Sequence, residues 1–219
     1  MKHDNGEFSI DKHELRAMMA FSMAKGQRPQ LEAVHFCPVR GAVYATDGHT
    51  LVRVANGSTA DVPAFTAPLA LLTNAYKMLT RDSVVIVRSS GDQIRCQVGA
   101  HSISAPDTEL TGPAGPWNTV EDVIPKKDNF FKHSNVPSEV NDMNRDELLK
   151  LVKWRLNFEP IVGLNVKYLR RLELVQKACG KNGIELYRGG GKLDPQLFTC
   201  DNPRESTSWT AVLMPMRTG

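Results

Sequence analysis

Asp47 and His49 are the pair in this chain whose types best suit proton chemistry, because a carboxylate and an imidazole can pass a proton at ordinary pH. Two residues apart in a strand-like stretch, they point the same way. No nucleophile stands near them, so an acid–base enzyme is the weakest of the function classes considered. The surrounding Thr46-Asp47-Gly48-His49 reads better as a turn, with Asp accepting backbone N–H groups and Gly taking a positive φ. Gly189-Gly190-Gly191-Lys192 lacks the spacing and the following helix of a phosphate loop. No HExxH and no Gly-x-Ser-x-Gly occurs. Cys37, Cys96, Cys179 and Cys200 are scattered without a CxxC pair, which argues against zinc, redox chemistry and a disulfide framework. No catalytic residue, metal site or cofactor is therefore expected, and the protein is not expected to be an enzyme.

The basic residues point to a different chemistry. Lys167, Arg170, Arg171 and Lys177 fall opposite the apolar face of a helix expected from Asn165 to Cys179. Lys150 and Lys153 lie one turn apart on another expected helix, as do Lys77 and Arg81 on a third. On one helix such a stripe reads as solvated surface. On several helices of one face it makes a surface that tracks phosphates, independent of sequence and sensitive to salt. No aromatic platform for single strands is visible. Net charge is +3, which permits a polyanion partner without demanding one.

The chain's last stretch, Ala211-Val212-Leu213-Met214-Pro215-Met216-Arg217, carries the second candidate site. Pro215 has no N–H for a strand ladder. Met214 and Met216 are flexible and polarizable, as suits a wall that accepts varied apolar anchors. The competing reading is a last core strand with a frayed end.

These candidates need elements to position them. The 219 residues are 41% hydrophobic and 23% charged, enough for one large domain or two small ones. No signal peptide or long apolar span is seen, and a cytoplasmic location is expected. Asn56-Gly57-Ser58 reads as an Asn-Gly turn rather than a glycosylation site. Phe8 to Ile10 is a short strand, followed by a helix capped by Asp11, with Glu14 at the box position and Ile10 and Leu15 as a staple. Gly26 and Pro29 stop that helix. Alternation predicts strands over Leu31 to Phe36, Val43 to Ala45 and Leu51 to Val54. Thr66 and Pro68 open a second helix whose Leu69, Leu72, Tyr76 and Leu79 share a face. Three strands then run from Val84 to Val87, Ile94 to Val98 and Ser102 to Ser104.

Thr111 to Pro116, rich in Gly and Pro, reads as a boundary, followed by an ordered connector from Trp117 to Pro125. Lys126 to Val140 reads as polar and irregular. Asn144 caps a third helix and Asn165 a fourth, and Gly180 with Asn182-Gly183 stops the fourth. Strands follow over Ile184 to Tyr187, Leu197 to Cys200 and Trp209 to Met214. The order strand, helix, strands, helix, strands is seen once in full and recurs in part. It predicts an α+β fold of pseudo-repeated domains, each an antiparallel sheet with helices on one face. The expected division is residues 1–112, a connector over 113–125, and a shortened domain over 126–219.

Five segments, in order, resemble the bacterial DNA polymerase III β subunit, the sliding clamp. Phe21-Ser22-Met23-Ala24 is similar to a segment opening that family's middle domain. Ala45-Thr46-Asp47-Gly48-His49-Thr50-Leu51 resembles its Ala-Thr-Asp-Gly-His-Arg-Leu motif, and Trp117 to Pro125 its interdomain connector. Gly163-Leu164-Asn165-Val166-Lys167-Tyr168-Leu169 resembles its Gly-Phe-Asn-x-x-Tyr-Leu helix start, and Met214-Pro215-Met216-Arg217 its C-terminal signature.

The resemblance implies a DNA-clamp fold: a ring of domains with helices lining a hole around double-stranded DNA. It implies a non-enzymatic processivity factor that tethers a DNA polymerase and other proteins carrying clamp-binding peptides, with a clamp loader as a further partner. The implied peptide pocket has Thr46, Gly48, His49 and Leu51 on one wall. Val212, Leu213, Met214, Pro215, Met216 and Arg217 form the other, with Pro125 beneath. Lys77, Arg81, Lys150, Lys153, Lys167, Arg170, Arg171 and Lys177 would face DNA.

Departures from the family pattern are specific. Thr50 stands where the motif has Arg, which removes a planar charged donor. The connector has Trp117-Asn118-Thr119 in place of Phe-Pro-Asp-Tyr. A chain without a counterpart of the family's first domain, and with a last domain short between its two helices, is expected. Two readings follow: a homo-oligomeric ring, in which three chains supply six domains, or a ringless adaptor or decoy that keeps only the peptide pocket.

Overall fold

The computed structural model describes residues 1–23, 28–80, 83–89, 92–108, 115–126, 131–133, 165–180, 183–188, 194–202 and 206–215. The chain opens with strands β1 (Lys2–Asp4) and β2 (Glu7–Ile10), which lead into helix α1 (Lys12–Phe21). The helix starts where the capping box predicts. Asp11 Oδ1 accepts from the His13 and Glu14 N–H groups at 2.7 and 2.8 Å, and Glu14 accepts from the Asp11 N–H at 3.0 Å. Ile10 and Leu15, the staple pair, are both fully buried.

Strands β3 (Ala33–Cys37), β4 (Ala42–Thr46), β5 (Thr50–Ala55) and β6 (Phe65–Pro68) follow, then helix α2 (Leu69–Met78). Thr66 and Pro68, expected to open the second helix, instead lie in β6. Extended backbone at Pro68, φ −63° and ψ 141°, hands the chain to α2 at Leu69. Strands β7 (Val84–Ser89), β8 (Gln93–Val98) and β9 (His101–Pro106) complete the N-terminal part. The connector is a 3-10 helix, Pro116–Val123. Then come β10 (Phe131–His133), helix α3 (Val166–Ala178), β11 (Glu185–Arg188), β12 (Gln196–Asn202) and β13 (Thr207–Leu213). Asn165 caps α3 by accepting from the Lys167 N–H at 2.9 Å. Strands β1 and β10 add to the elements expected from sequence, and β10 lies in a stretch read as irregular. The helix expected to start at Asn144 lies outside the described residues.

Two antiparallel sheets result. One has five strands in the order β1-β2-β7-β8-β9, and the other has eight in the order β10-β11-β12-β13-β5-β4-β3-β6. The larger sheet is sewn together by β13 and β5, whose register runs from Ser208 opposite Ala55 to Leu213 opposite Thr50. This seam joins the last described strand to one near the start of the chain.

Alternation along the seam strands sorts their side chains onto two faces. Val52, Val54, Trp209, Ala211 and Leu213 face a core shared with the buried faces of α1, α2 and α3. Tyr44, Leu51, Leu197 and Val212 face the other way and pack with Trp117 and Val120 of the 3-10 helix. The connector is thus a cover for the sheet's outer face. Trp117 stacks on His35 at 5.0 Å between ring centres and 3° between planes. Glu121 accepts from Arg53 Nε at 2.9 Å and from the Tyr44 hydroxyl. Burial, helped by the Glu121 carboxylate, pushes the Tyr44 phenol up to about 12.

Candidate functional site

The 46–50 turn is built by its own side chains. Thr46 Oγ1 donates to the Thr50 carbonyl at 2.7 Å and accepts from the Gly48 N–H at 3.0 Å. Asp47 Oδ1 accepts from the N–H groups of His49 and Thr50, at 2.9 and 2.8 Å, and from the Thr50 hydroxyl at 3.0 Å. Gly48 sits at φ +87°, where a side chain is strained. Asp47 Oδ2 accepts from Arg171 of α3 at 2.6 Å.

Burial raises the Asp47 carboxyl, but the His49 N–H, the Arg171 guanidinium and the Thr50 N–H outweigh it and hold the group below its ordinary value. Both carboxylate oxygens of Asp47 are engaged, in the pattern expected of a turn in which Asp accepts backbone N–H groups. Among the described residues, no cluster of three or more His, Cys, Asp or Glu could hold a metal ion.

A cavity of about 430 Å³ opens where this turn meets the end of β13. Thr46, Gly48, His49, Leu51, Val212 and Met214 of the sequence-derived set line it. The Met214 N–H donates to the His49 carbonyl at 2.9 Å and locks the two walls together. Leu213 does not line the cavity. As the inward residue of β13 it is fully buried in the main core, because side chains alternate across a strand and Val212 takes the outward position. Pro125 and Pro215 are half-buried and also do not line it. Met216 and Arg217 lie outside the described residues.

Sequence reasoning missed a third and a fourth wall. Arg28, Gln30 and Leu31 supply one, on the return from α1. The Met23 N–H donates to the Leu31 carbonyl at 2.9 Å and fixes that return. Pro29 marked the helix stop, but nothing in the local sequence says which sheet edge the chain then meets. Arg28 Nη1 lies 3.2 Å from where a Cβ on Gly48 would stand, so the bare glycine leaves room for the arginine. The 3-10 helix supplies the remaining wall through Pro116, Val120 and Val123. Val123 and Met214, 57% and 39% exposed, are two large apolar side chains left open at the cavity. An open, mostly apolar lining with a few polar groups suits short apolar anchors.

The basic set is distributed over the helices. α1 packs against both α2 and α3. Lys77 on α2 and Lys167, Arg170 and Lys177 on α3 are exposed, as is Arg16 on α1. Lys177 pairs with Glu173 at 2.7 Å. Arg171 does not share that exposed face. It turns to Asp47, with its side chain only 18% exposed, and makes a charge-assisted hydrogen bond there. Arg81, Lys150 and Lys153 lie outside the described residues.

No protein-family model and no curated protein matches the chain. Solved structures do. A DNA polymerase sliding clamp from Pseudomonas aeruginosa superposes with a TM-score of 0.66 at 17% identity, covering 100% of this chain and 68% of the clamp. The DNA polymerase III β subunit of Thermotoga maritima gives a TM-score of 0.66 at 13% identity, covering 100% of this chain and 67% of that one. The β subunit of Borrelia burgdorferi, solved in complex with a natural product, gives 0.68 at 12% identity, covering 100% and 65%. The chain therefore has the α+β fold of bacterial sliding clamps and spans about two thirds of their length.

Proposed function

We propose that this protein is a sliding-clamp-like processivity factor. It takes apolar peptide anchors of a DNA polymerase or other partners into the cavity beside the 46–50 turn, and lays its helical face on duplex DNA without sequence preference. The role is non-enzymatic and cytoplasmic. The observation that carries it is the cavity itself, a mostly apolar site of about 430 Å³ formed where the Asp47-Gly48-His49 turn meets Met214. The clamp fold of its structural neighbours supports the same reading, as does the exposed basic set of Arg16, Lys77, Lys167 and Arg170 on helices that share one core. Among the described residues, no helix is long and apolar enough to cross a membrane.

The test is fluorescence anisotropy of a labelled peptide with leucine and phenylalanine anchors. Saturable binding that is lost in Met214→Asp supports the pocket. Equal binding by wild type and Met214→Asp removes it. Titration with labelled duplex DNA at rising salt checks the second surface, since phosphate contacts make affinity fall steeply with salt.

A ringless adaptor that keeps only the peptide pocket is the second reading. Among the described residues, the part after the connector contributes strands to one sheet only, β10 to β13, whereas the part before it contributes to both. Molar mass in solution separates the two. A discrete trimer supports a head-to-tail ring, and a monomer at all concentrations supports the adaptor.

A further inference from the structure

One cation of α3 is withdrawn from the basic face and spent on the pocket. Arg171 Nη1 donates to Asp47 Oδ2 at 2.6 Å and also to the Thr50 hydroxyl oxygen. That hydroxyl in turn donates to Asp47 Oδ1 at 3.0 Å, so guanidinium, hydroxyl and carboxylate form one closed chain of hydrogen bonds. The guanidinium carbon lies 5.1 Å from the Tyr168 ring centre and 5.7 Å from that of Phe21. Tyr168 stacks against His49 at 6.5 Å between ring centres, with 19° between planes. Helix α3 therefore grips the turn at Asp47, His49 and Thr50, and Gly48, His49 and Thr50 line the cavity. The grip spans 124 residues of sequence and joins α3 to the turn at the end of the β13–β5 seam, where Thr50 pairs with Leu213.

We infer that Arg171 is a positioning residue of the cavity: its guanidinium holds the 47–50 turn in the conformation that walls the pocket and offers the His49 carbonyl to Met214. Thr50 stands where the resembled clamp motif carries an arginine, and in this chain the guanidinium beside that position arrives from α3 instead. The carboxylate of Asp47 is fully subscribed: Oδ1 takes the turn's own donors and Oδ2 takes Arg171. Loss of Arg171 leaves Oδ2, in a side chain only 11% exposed, facing no cation. An uncompensated buried charge of that kind loosens the segment that carries it. The consequence for ligand binding rests on the peptide-pocket reading; the positioning itself rests on geometry alone.

The test uses the full chain with Arg171→Leu and Arg171→Lys, and reads two quantities. The first is amide hydrogen exchange at His49, Thr50 and Met214, whose N–H groups donate within and onto the turn. In Arg171→Leu these amides should exchange about tenfold faster or more, while amides in the middle of β4 and β5 keep their rates. Arg171→Lys keeps the charge without the planar guanidinium beside Tyr168 and Phe21, and should recover about half of the protection on a logarithmic scale. The second is affinity for the labelled leucine and phenylalanine peptide, which should fall about fivefold or more in Arg171→Leu and recover in part with Lys.

Unchanged exchange at the three amides overturns the positioning role. Faster exchange with wild-type peptide affinity overturns its service to the pocket. If wild type binds no peptide, the pocket reading fails while the exchange data still decide the role of Arg171. Should Arg171→Leu not fold, Arg171→Lys carries the decision, and wild-type protection in that variant overturns the inference.

Discussion

The Met214 amide donates to the His49 carbonyl at 2.9 Å, one step beyond the last paired residues of the β13–β5 seam, Leu213 and Thr50. Both residues line the cavity. This bond extends the β13–β5 ladder, which already pairs Leu51 with Val212, and together they hold the two sequence-remote walls of the cavity at a fixed distance.

Removing that donor should separate backbone from side-chain effects at this position. Met214→Pro loses the N–H and should cost about 1–2 kcal/mol in urea unfolding, with loss of peptide binding. Met214→Asp keeps the N–H on a side chain that is 39% exposed, and should change stability by no more than about 0.5 kcal/mol. Equal stability of the two variants would mean the bond contributes nothing.

Asp47 has separable duties. Asp47→Asn can still accept the His49 and Thr50 N–H groups but loses its charge against Arg171, and should cost about 1–2 kcal/mol. Asp47→Ala removes every bond to the turn and should cost about 3 kcal/mol or more. Denaturant midpoints for both, measured beside Arg171→Leu, check the order. The Asp47 carboxyl is held below its ordinary value, so its share of stability is present above the unfolded value and is lost as pH falls through the folded one.

His35 makes a different pH signature. Burial, with Arg40 adding to it, brings the imidazole from 6.5 down to about 4. Its nitrogen Nδ1 lies 2.9 Å from Thr66 Oγ1, and Trp117 covers the ring. The folded chain thus refuses a proton that the unfolded chain takes. Stability is full above pH 6.5 and falls between pH 6.5 and 4, by at most about 3 kcal/mol from this residue. His35→Phe keeps an aromatic ring for Trp117 and should flatten that window. An unaltered pH profile in the variant would assign the acid sensitivity elsewhere.

Gly48→Ala places a Cβ at φ +87°, and within 3.2 Å of Arg28 Nη1. The left-handed backbone should cost about 1–2 kcal/mol. The methyl also displaces the arginine at the cavity wall. Peptide affinity should therefore fall further than the stability loss alone explains, as measured by anisotropy under conditions where the variant is fully folded.

The exposed cations should separate from Arg171 in DNA titrations. Lys167→Ala with Arg170→Ala should lower duplex affinity and reduce the slope of log affinity against log salt by about 2. Arg171, already paired with Asp47, should leave that slope unchanged on conversion to Leu. Equal slopes for all variants would take α3 out of the DNA surface.

Much of this fold is written locally. Asp11 with Glu14, and Asn165 at the start of α3, announce their helices because a cap is satisfied within three residues. Alternation in β4, β5 and β13 separates inward from outward residues because neighbouring side chains point to opposite faces. These signals give the α+β elements, and the resemblance of five ordered segments to the sliding clamp implied Thr46, Gly48, His49, Leu51, Val212 and Met214, which line the cavity.

Other features were decided only in three dimensions. Leu213 belongs to the core because the β13–β5 register turns it inward, and that register is set by the partner strand. The 3-10 helix becomes a cavity wall because Trp117 finds His35 and Glu121 finds Arg53 on the outer sheet face. Arg171 reads as one cation of a helix stripe until the fold brings Asp47 to it across 124 residues. Caps and periodicity depend on contacts a few residues apart, so the sequence carries them. Register, cover and long-range charge pairing depend on which surfaces meet, and only the assembled chain supplies that.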